Sequence, residues 1–287
     1  MANRLMVLIV LASIMALPLR AQAATVNLGE ISDPNGEYCN GLIKLALSYS
    51  ETPYSITYNG ETNMTQTRLL EEVKSGNIAI MWAGTTRSLE EELIPVRIPL
   101  YKGLLGHRIF IIHSGNQPAF DNVSTIENMK RLNLGQGRTW SDTEILEANG
   151  FNVVKANKYS NLFDMVDGGR FDAFPRGVQE PWAEISSRPT LELAVEKKLM
   201  LIYKMPFYLF VSQSNIRLAA DLESGLRAAI TDGSFDNFFL NNPMVMDVLN
   251  KANLQNRIAF HLKNPTLSPK TPLEDKTLWL DPYSLGL

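Results

Sequence analysis

Short apolar runs alternate with amphipathic stretches along most of the chain, and the two periods separate strands from helices. Residues 26–30 and Tyr54–Tyr58 predict strands. Between them, residues 38–50 predict a helix with Leu42, Leu45, Ala46 and Tyr49 on one stripe. A second helix is predicted over 65–75, with Leu69, Leu70 and Val73 facing inward and Gly76 as its stop. Residues 78–82 are continuously apolar, as a parallel strand covered on both faces would be. The order βαβαβ predicts an open α/β sheet.

A long strand-like stretch, 96–113, comes next, and a second unit of the same kind follows it. Strands are predicted at 132–134, 152–154 and 171–174, with helices at Ser141–Ala148, 162–166 and 180–187. A second long apolar and aromatic stretch spans 200–212, and helices are predicted at 218–231 and 235–250. The final residues, with Pro265, Pro269, Pro272 and Pro282, predict an extended tail over the surface. Two similar units joined by two long segments predict two lobes, each an open α/β sheet, with two hinge crossings. Residues 24–105 would form the first part of lobe one, 106–207 lobe two, 208–263 the return to lobe one, and 264–287 the tail. A ligand cleft is expected at the carboxyl ends of the two sheets, with hinge closure as its motion.

The start of the chain reads differently. Arg4 supplies a positive charge, residues 5–17 are almost wholly apolar, and Ala21-Gln22-Ala23 is a small-residue cleavage pattern. Residues 1–23 are therefore read as a secretory signal peptide, too short and wrongly flanked for a spanning helix. No Cys follows for lipid attachment, so a periplasmic protein with no membrane insertion after cleavage is expected. Without Arg4 and Arg20, 25 basic side chains face 30 acidic ones. No polybasic block interleaves with aromatics, which argues against nucleic acid as a partner. Cys39 is the only cysteine, so no disulfide supports the fold and Cys39 reads as a small buried hydrophobe.

Three stretches, "LLEEVKSGNIAIMWAGTTRSLEEE", "LNLGQGRTWSDTEIL" and "LFDMVDGGRFDAFPRG", complete the pattern. In their order and spacing they resemble the type II periplasmic solute-binding proteins, specifically the polar amino-acid-binding group (family 3). The resemblance implies a two-lobed fold with Ala83-Gly84-Thr85-Thr86 in the ligand-facing loop of lobe one and Gln136 to Thr139 in that of lobe two. It implies a small-molecule ligand delivered to an ABC-type permease, and a monomer. A liganded protein read by a membrane receptor is the alternative. The family places a carboxylate-clamping Arg shortly after the first loop, where this chain has Glu91. It places an ammonium-binding Asp at the end of the third stretch, where this chain has Gly177. Both amino-acid contacts are thus replaced.

Arg176 is expected to emerge into the cleft after the strand 171–174. Arg138 sits in the corresponding turn of the same lobe, before Thr139 and Trp140, and Arg87 follows Thr85 and Thr86 across the cleft. Guanidinium forks suit carboxylate or phosphate, so these arginines predict a locally positive site for an anionic or amino-acid-like solute. Trp140 is a candidate stacking surface, and Glu30 stands at the cleft mouth. The competing reading pairs Arg176 with Glu180 and Arg138 with Asp142 at helical spacing.

Catalytic motifs are thin. There is no H-E-x-x-H, G-x-S-x-G, P-loop or G-x-G-x-x-G. His107 and His113 would lie about 20 Å apart on one strand, too far to share a metal. No cofactor, no metal and no enzyme activity are expected. A dehydratase-like reaction on the same fold is the lesser alternative, with Glu30 as its acid or base.

Overall fold

The computed structural model describes residues 23–59 and 64–281. The leader expected over 1–23 lies, except for Ala23, outside the described residues, as does the end of the tail from 282. Among the described residues no helix is long and apolar enough to cross a membrane.

The first lobe begins with β1 (Ala24–Leu28), α1 (Pro34–Ser48), β2 (Tyr54–Tyr58), α2 (Gln66–Ser75), β3 (Ile80–Gly84), α3 (Arg87–Glu92) and β4 (Leu93–Val96). α1 starts earlier than the apolar stripe predicts. Asp33 caps it by accepting from the Gly36 N–H, and Pro34 fills the first turn, where no amide needs a partner. α2 runs from its Thr65 cap to Gly76, which takes the left-handed conformation at φ 81° that favours glycine. α3 has no counterpart in the predicted elements. It forms because the Thr86 hydroxyl accepts from the Leu89 N–H and opens a helix in what reads as loop.

The second lobe contains β5 (His107–His113), α4 (Gln117–Asp121), α5 (Ile126–Met129), β6 (Asn133–Gly137), α6 (Ser141–Ala148), β7 (Asn152–Ala156), α7 (Tyr159–Asp167), β8 (Phe174–Gly177), α8 (Pro181–Ser186), β9 (Leu193–Val195) and β10 (Leu199–Ile202). The chain then returns through β11 (Phe207–Ser212), α9 (Ile216–Asp232), α10 (Ser234–Leu240) and α11 (Pro243–Lys251). A last strand, β12 (Ile258–His261), follows.

β1 and β2 pair in parallel, and β11 lies antiparallel between β3 and β4. The Ala79 N–H donates to the Asn27 carbonyl at 2.7 Å and joins the two sets into one lobe. In the second lobe the order is β12-β10-β5-β8. A bridge between Leu134 and Ala173 attaches the parallel pair β6-β7. α9, α10 and α11 return to the first lobe, where Leu222, Leu226, Phe239 and Val248 share a core with Leu42, Ile43 and Val211.

The sheets revise three expectations. The stretch 96–113 is not one strand: Lys102 and Gly103 turn with φ 48° and 90°, separating β4 from β5. The stretch 200–212 likewise divides into β10 and β11. The two breaks meet where the Tyr203 N–H donates to the Gly106 carbonyl at 3.0 Å, and they form the two crossings. The third revision concerns 258–261, expected in the first lobe; β12 pairs in parallel with β10 of the second. The buried Arg257 guanidinium steers it there, donating to the carbonyls of Ala252 at 2.7 Å and Leu199 at 3.0 Å.

The tail then runs across both crossings. Asn264 donates to the Lys204 carbonyl at 2.8 Å, the Leu280 N–H donates to the Lys102 carbonyl at 2.8 Å, and Trp279 lies over Gly103.

Helices α1 and α9 approach so closely that a Cβ on Gly225 would sit 2.0 Å from the Ala46 carbonyl oxygen. Gly225→Ala is expected to cost about 1–3 kcal/mol through overpacking, read as a lower midpoint in urea unfolding. At the first crossing, burial lowers the His107 imidazole from 6.5 to about 4. The folded protein therefore holds His107 neutral while the unfolded chain takes up its proton. The stability that follows is complete above pH 6.5 and is lost as pH falls toward 4. Urea midpoints at pH 7 and pH 4.5 should differ less in His107→Gln than in the parent.

Candidate functional site

Between the lobes lies a cavity of about 320 Å³. The first lobe contributes the end of β1, the start of α1 and the end of β3; the second contributes the β6–α6 turn, the β7–α7 turn, β8 and the start of α8. The floor is a buried ion network. Arg108 projects from the start of β5 and reaches Asp142 of α6 at 2.6 Å and Glu180 at 3.5 Å. Its Nε donates to the Tyr203 hydroxyl at 3.1 Å, and that hydroxyl donates to Asp142.

Arg176 grips Glu184 through two nitrogens, with Nε 2.9 Å from one carboxylate oxygen and Nη2 2.5 Å from the other. Nη2 also lies 3.0 Å from Glu180. Tyr159 donates to Glu184 at 2.6 Å, and the Gly177 N–H donates to Glu180 at 2.6 Å. Trp140, Tyr159 and Phe174 surround the Arg176 guanidinium at 4.9 to 5.5 Å. Aromatic faces favour a cation there.

Burial opposes the charge of Arg176, but Glu180 and Glu184 outweigh it and hold the proton more tightly than usual. Burial pushes the Glu180 carboxyl up, against the pull of Arg176. The Tyr203 and Tyr159 hydroxyls are likewise raised by burial. Asp142, Glu180 and Glu184 each accept from two or more donors, so the floor presents no free general base.

Two contacts cross the cleft. Asn35 of α1 donates to Glu180 at 3.0 Å and is itself held by the Tyr101 hydroxyl at 2.6 Å. The Ser141 hydroxyl of α6 donates to the Gly84 carbonyl of β3 at 3.0 Å.

Glu30, Arg138, Thr139, Trp140 and Arg176 line the cavity. Thr86 and Thr139 meet at a smaller recess of about 130 Å³ beside it. Gly177 lies beneath the cavity as a donor to Glu180, and a side chain there would press on Gln179 and Leu105 at 2.9 Å. Thr85 turns away, its hydroxyl donating to Glu90 at 2.8 Å. Arg87 points to the tail and donates to the Pro265 carbonyl at 2.6 Å.

Arg176 does not follow a strand; it lies within β8, opposite Ile109. The predicted strand 171–174 is displaced because the Asp172 carboxylate takes the Asn133 N–H, leaving 171–173 outside the ladder with β5. Arg176 pairs with Glu184 as well as Glu180, and it is buried. Arg138 does not pair with Asp142; its Nε donates to Asn157 at 2.8 Å, and Asp142 belongs to Arg108. The locally positive lining expected from the arginines is also absent. Glu30, Asp33, Asp142 and Glu180 match Arg108, Arg138, Lys158 and Arg176 in number.

Arg108, Tyr203, Asn35 and Glu184 were missed. Arg108 carried a signal: it is the one permanent charge inside the apolar run "HRIFIIH", and a charge buried in a strand requires a partner. Trp82, at the end of the apolar run 78–82 expected to be covered on both faces, is half-buried and lines the cavity.

No family model matches the chain, and no curated protein matches it by sequence. Solved structures do. An ancestral arginine-binding protein bound to arginine is similar with a TM-score of 0.57 at 16% identity, over 76% of this chain and 98% of that one. The fold is that of the two-lobed periplasmic binding proteins. A histidine kinase sensor domain with similarity to periplasmic binding proteins gives a TM-score of 0.59 at 13% identity, over 78% and 98%. A structure concerned with glutathione import through the cystine ABC importer of Streptococcus mutans gives 0.59 at 11% identity, over 77% and 95%. The periplasmic-binding-protein fold places the cavity where its two lobes meet.

Arg176→Ala would strand Glu184 and Glu180 in the interior without their cation. Removing one partner of a buried pair costs about 3–5 kcal/mol, so a large loss of folding stability is expected by urea unfolding. Arg176→Lys should recover only part, because an ammonium cannot span both carboxylate oxygens.

Proposed function

We propose that this protein is a periplasmic solute-binding protein that captures a small polar solute, anionic or amino-acid-like, between its lobes and hands it to an ABC-type importer. One observation carries the reading. The cavity has walls from both lobes, and Asn35 and Ser141 make hydrogen bonds across it. A solute enclosed there would stabilise the closed form by the amount it prefers that form over the open one. The fold's likeness to amino-acid-binding and importer proteins supports the same reading, as does the leader read at 1–23. An enzyme reading is less favoured, because the floor carboxylates are occupied by arginine and tyrosine donors. The sensor-domain likeness supports a second reading, in which a membrane receptor reads the closed form.

The test starts with protein purified from the periplasm. Compounds released on denaturation are identified by mass spectrometry and added back to stripped protein. A saturable change in Trp82 and Trp140 fluorescence is expected, with a fall in radius of gyration in solution scattering and the compound recovered unchanged. No saturable change, or chemical conversion of the compound, would refute the proposal. Asn35→Ala removes a hydrogen bond from the first lobe to the Glu180 carboxylate of the second, a contribution of about 1.5–3 kcal/mol. Capture should weaken by roughly tenfold to a hundredfold, and because the buried Tyr101 hydroxyl loses its acceptor, urea stability should fall by about 1–3 kcal/mol.

A further inference from the structure

The charged groups around the cavity form two sets. Arg108, Arg176, Asp142 and Glu180 lie deep, are each less than a tenth exposed, and are bound to one another or to Glu184 and Tyr203. They have little left for a guest.

The second set stands higher. Glu30 and Asp33 belong to the first lobe, Arg138 and Lys158 to the second. Among the described residues none of the four has an ion-pair partner. The Asp33 carboxylate accepts only the Gly36 N–H at 3.0 Å, and the Arg138 guanidinium donates only to Asn157, among the hydrogen bonds of the described residues. The first-lobe wall carries these two carboxylates and no cation. The lobes already touch through Asn35 and Ser141, yet the opposed charges do not pair across the gap. The cavity keeps them apart.

From this we infer that the cavity takes a small dipolar guest in a fixed direction, its cationic group toward Glu30 and Asp33 and its anionic group toward Arg138 and Lys158. The inference rests on the cleft-binding reading. It reverses the polarity that the sequence resemblance implies, in which the cation stands on the first lobe and the carboxylate on the second. A simple anion would meet two uncompensated carboxylates when the lobes close, and a simple cation would meet Arg138 and Lys158. Glu30, Arg138 and Lys158 are exposed, so water screens them in the open site, and like-charge juxtapositions count against a guest once closure excludes that water. A dipolar guest satisfies both walls and adds its own attraction to closure. Half-buried Trp82 and Trp140 on opposite walls leave an apolar face for the body of the guest.

The test uses matched probes in a thermal-shift screen followed by calorimetry. The probes are the common L-amino acids and glycyl dipeptides, their carboxamides (no carboxylate) and their N-acetyl forms (no ammonium). Intact zwitterions should stabilise the protein, with both blocked forms at least tenfold weaker. In Glu30→Gln/Asp33→Asn, which keeps a side-chain oxygen for the α1 cap, the zwitterion with the largest shift should lose its advantage over its N-acetyl form. It should keep its advantage over its carboxamide. Arg138→Gln/Lys158→Gln should show the reverse. If blocked forms bind as well as zwitterions, or the two double variants respond in the opposite sense or not at all, the polarity is overturned while cleft binding stands. If no probe of any class shifts the melting temperature, cleft binding of this compound class fails and the inference falls with it.

Discussion

The Glu180 carboxylate is the point on which both lobes depend. It accepts from Arg176, Asn35 and the Gly177 N–H and lies beside Arg108. The surrounding floor holds two guanidiniums against three carboxylates (Asp142, Glu180 and Glu184), with Tyr159 and Tyr203 supplying further donors. Such a cluster does not by itself make a protein more stable than an apolar core would, but breaking it is severe. Its geometry therefore constrains everything near it. Trp140 and Phe174 are held against Arg176, α6 is tied to β5 through Asp142 and Arg108, and the start of α8 is fixed under the cavity.

The same cluster reaches the hinge. Arg108 opens the strand that leaves the first crossing, and Tyr203 belongs to the second. A change in the relation of the lobes must move around these two residues or through them. The tail adds contacts with Lys102 and Lys204 on the outer side of the crossings. Between the cavity walls, the only polar links among the hydrogen bonds described are Asn35 to Glu180 and Ser141 to Gly84. The Asn35 bond to a charged group contributes about 1.5–3 kcal/mol and the neutral Ser141 bond about 0.5–1.5 kcal/mol.

Similarity at 11 to 16% identity with TM-scores of 0.57 to 0.59 shows the same fold held by chains in which most residues differ. The first wall carries Glu30 and Asp33 with no cation, the second carries Arg138 and Lys158, and the charges of the floor are bound to one another.

The alternation of apolar runs and amphipathic stretches by itself determined the two α/β units, the two crossings, and helices such as Ser141–Ala148 to the residue, because local burial follows period. The strand ends it marks, taken together with the family resemblance, put forward Glu30, Arg138, Thr139, Trp140 and Arg176, which line the cavity. What it did not determine was partnership. Arg176 takes Glu184 eight positions away as well as Glu180, Asp142 takes Arg108 from another strand, and Ile258–His261 pairs in the second lobe. Those choices depend on which elements lie adjacent in space, and spacing along the chain carries no record of a contact 34 or 61 residues away. Whether an arginine meets a guest or a buried carboxylate was decided only when β5, β8 and the helices beside them closed around the same floor.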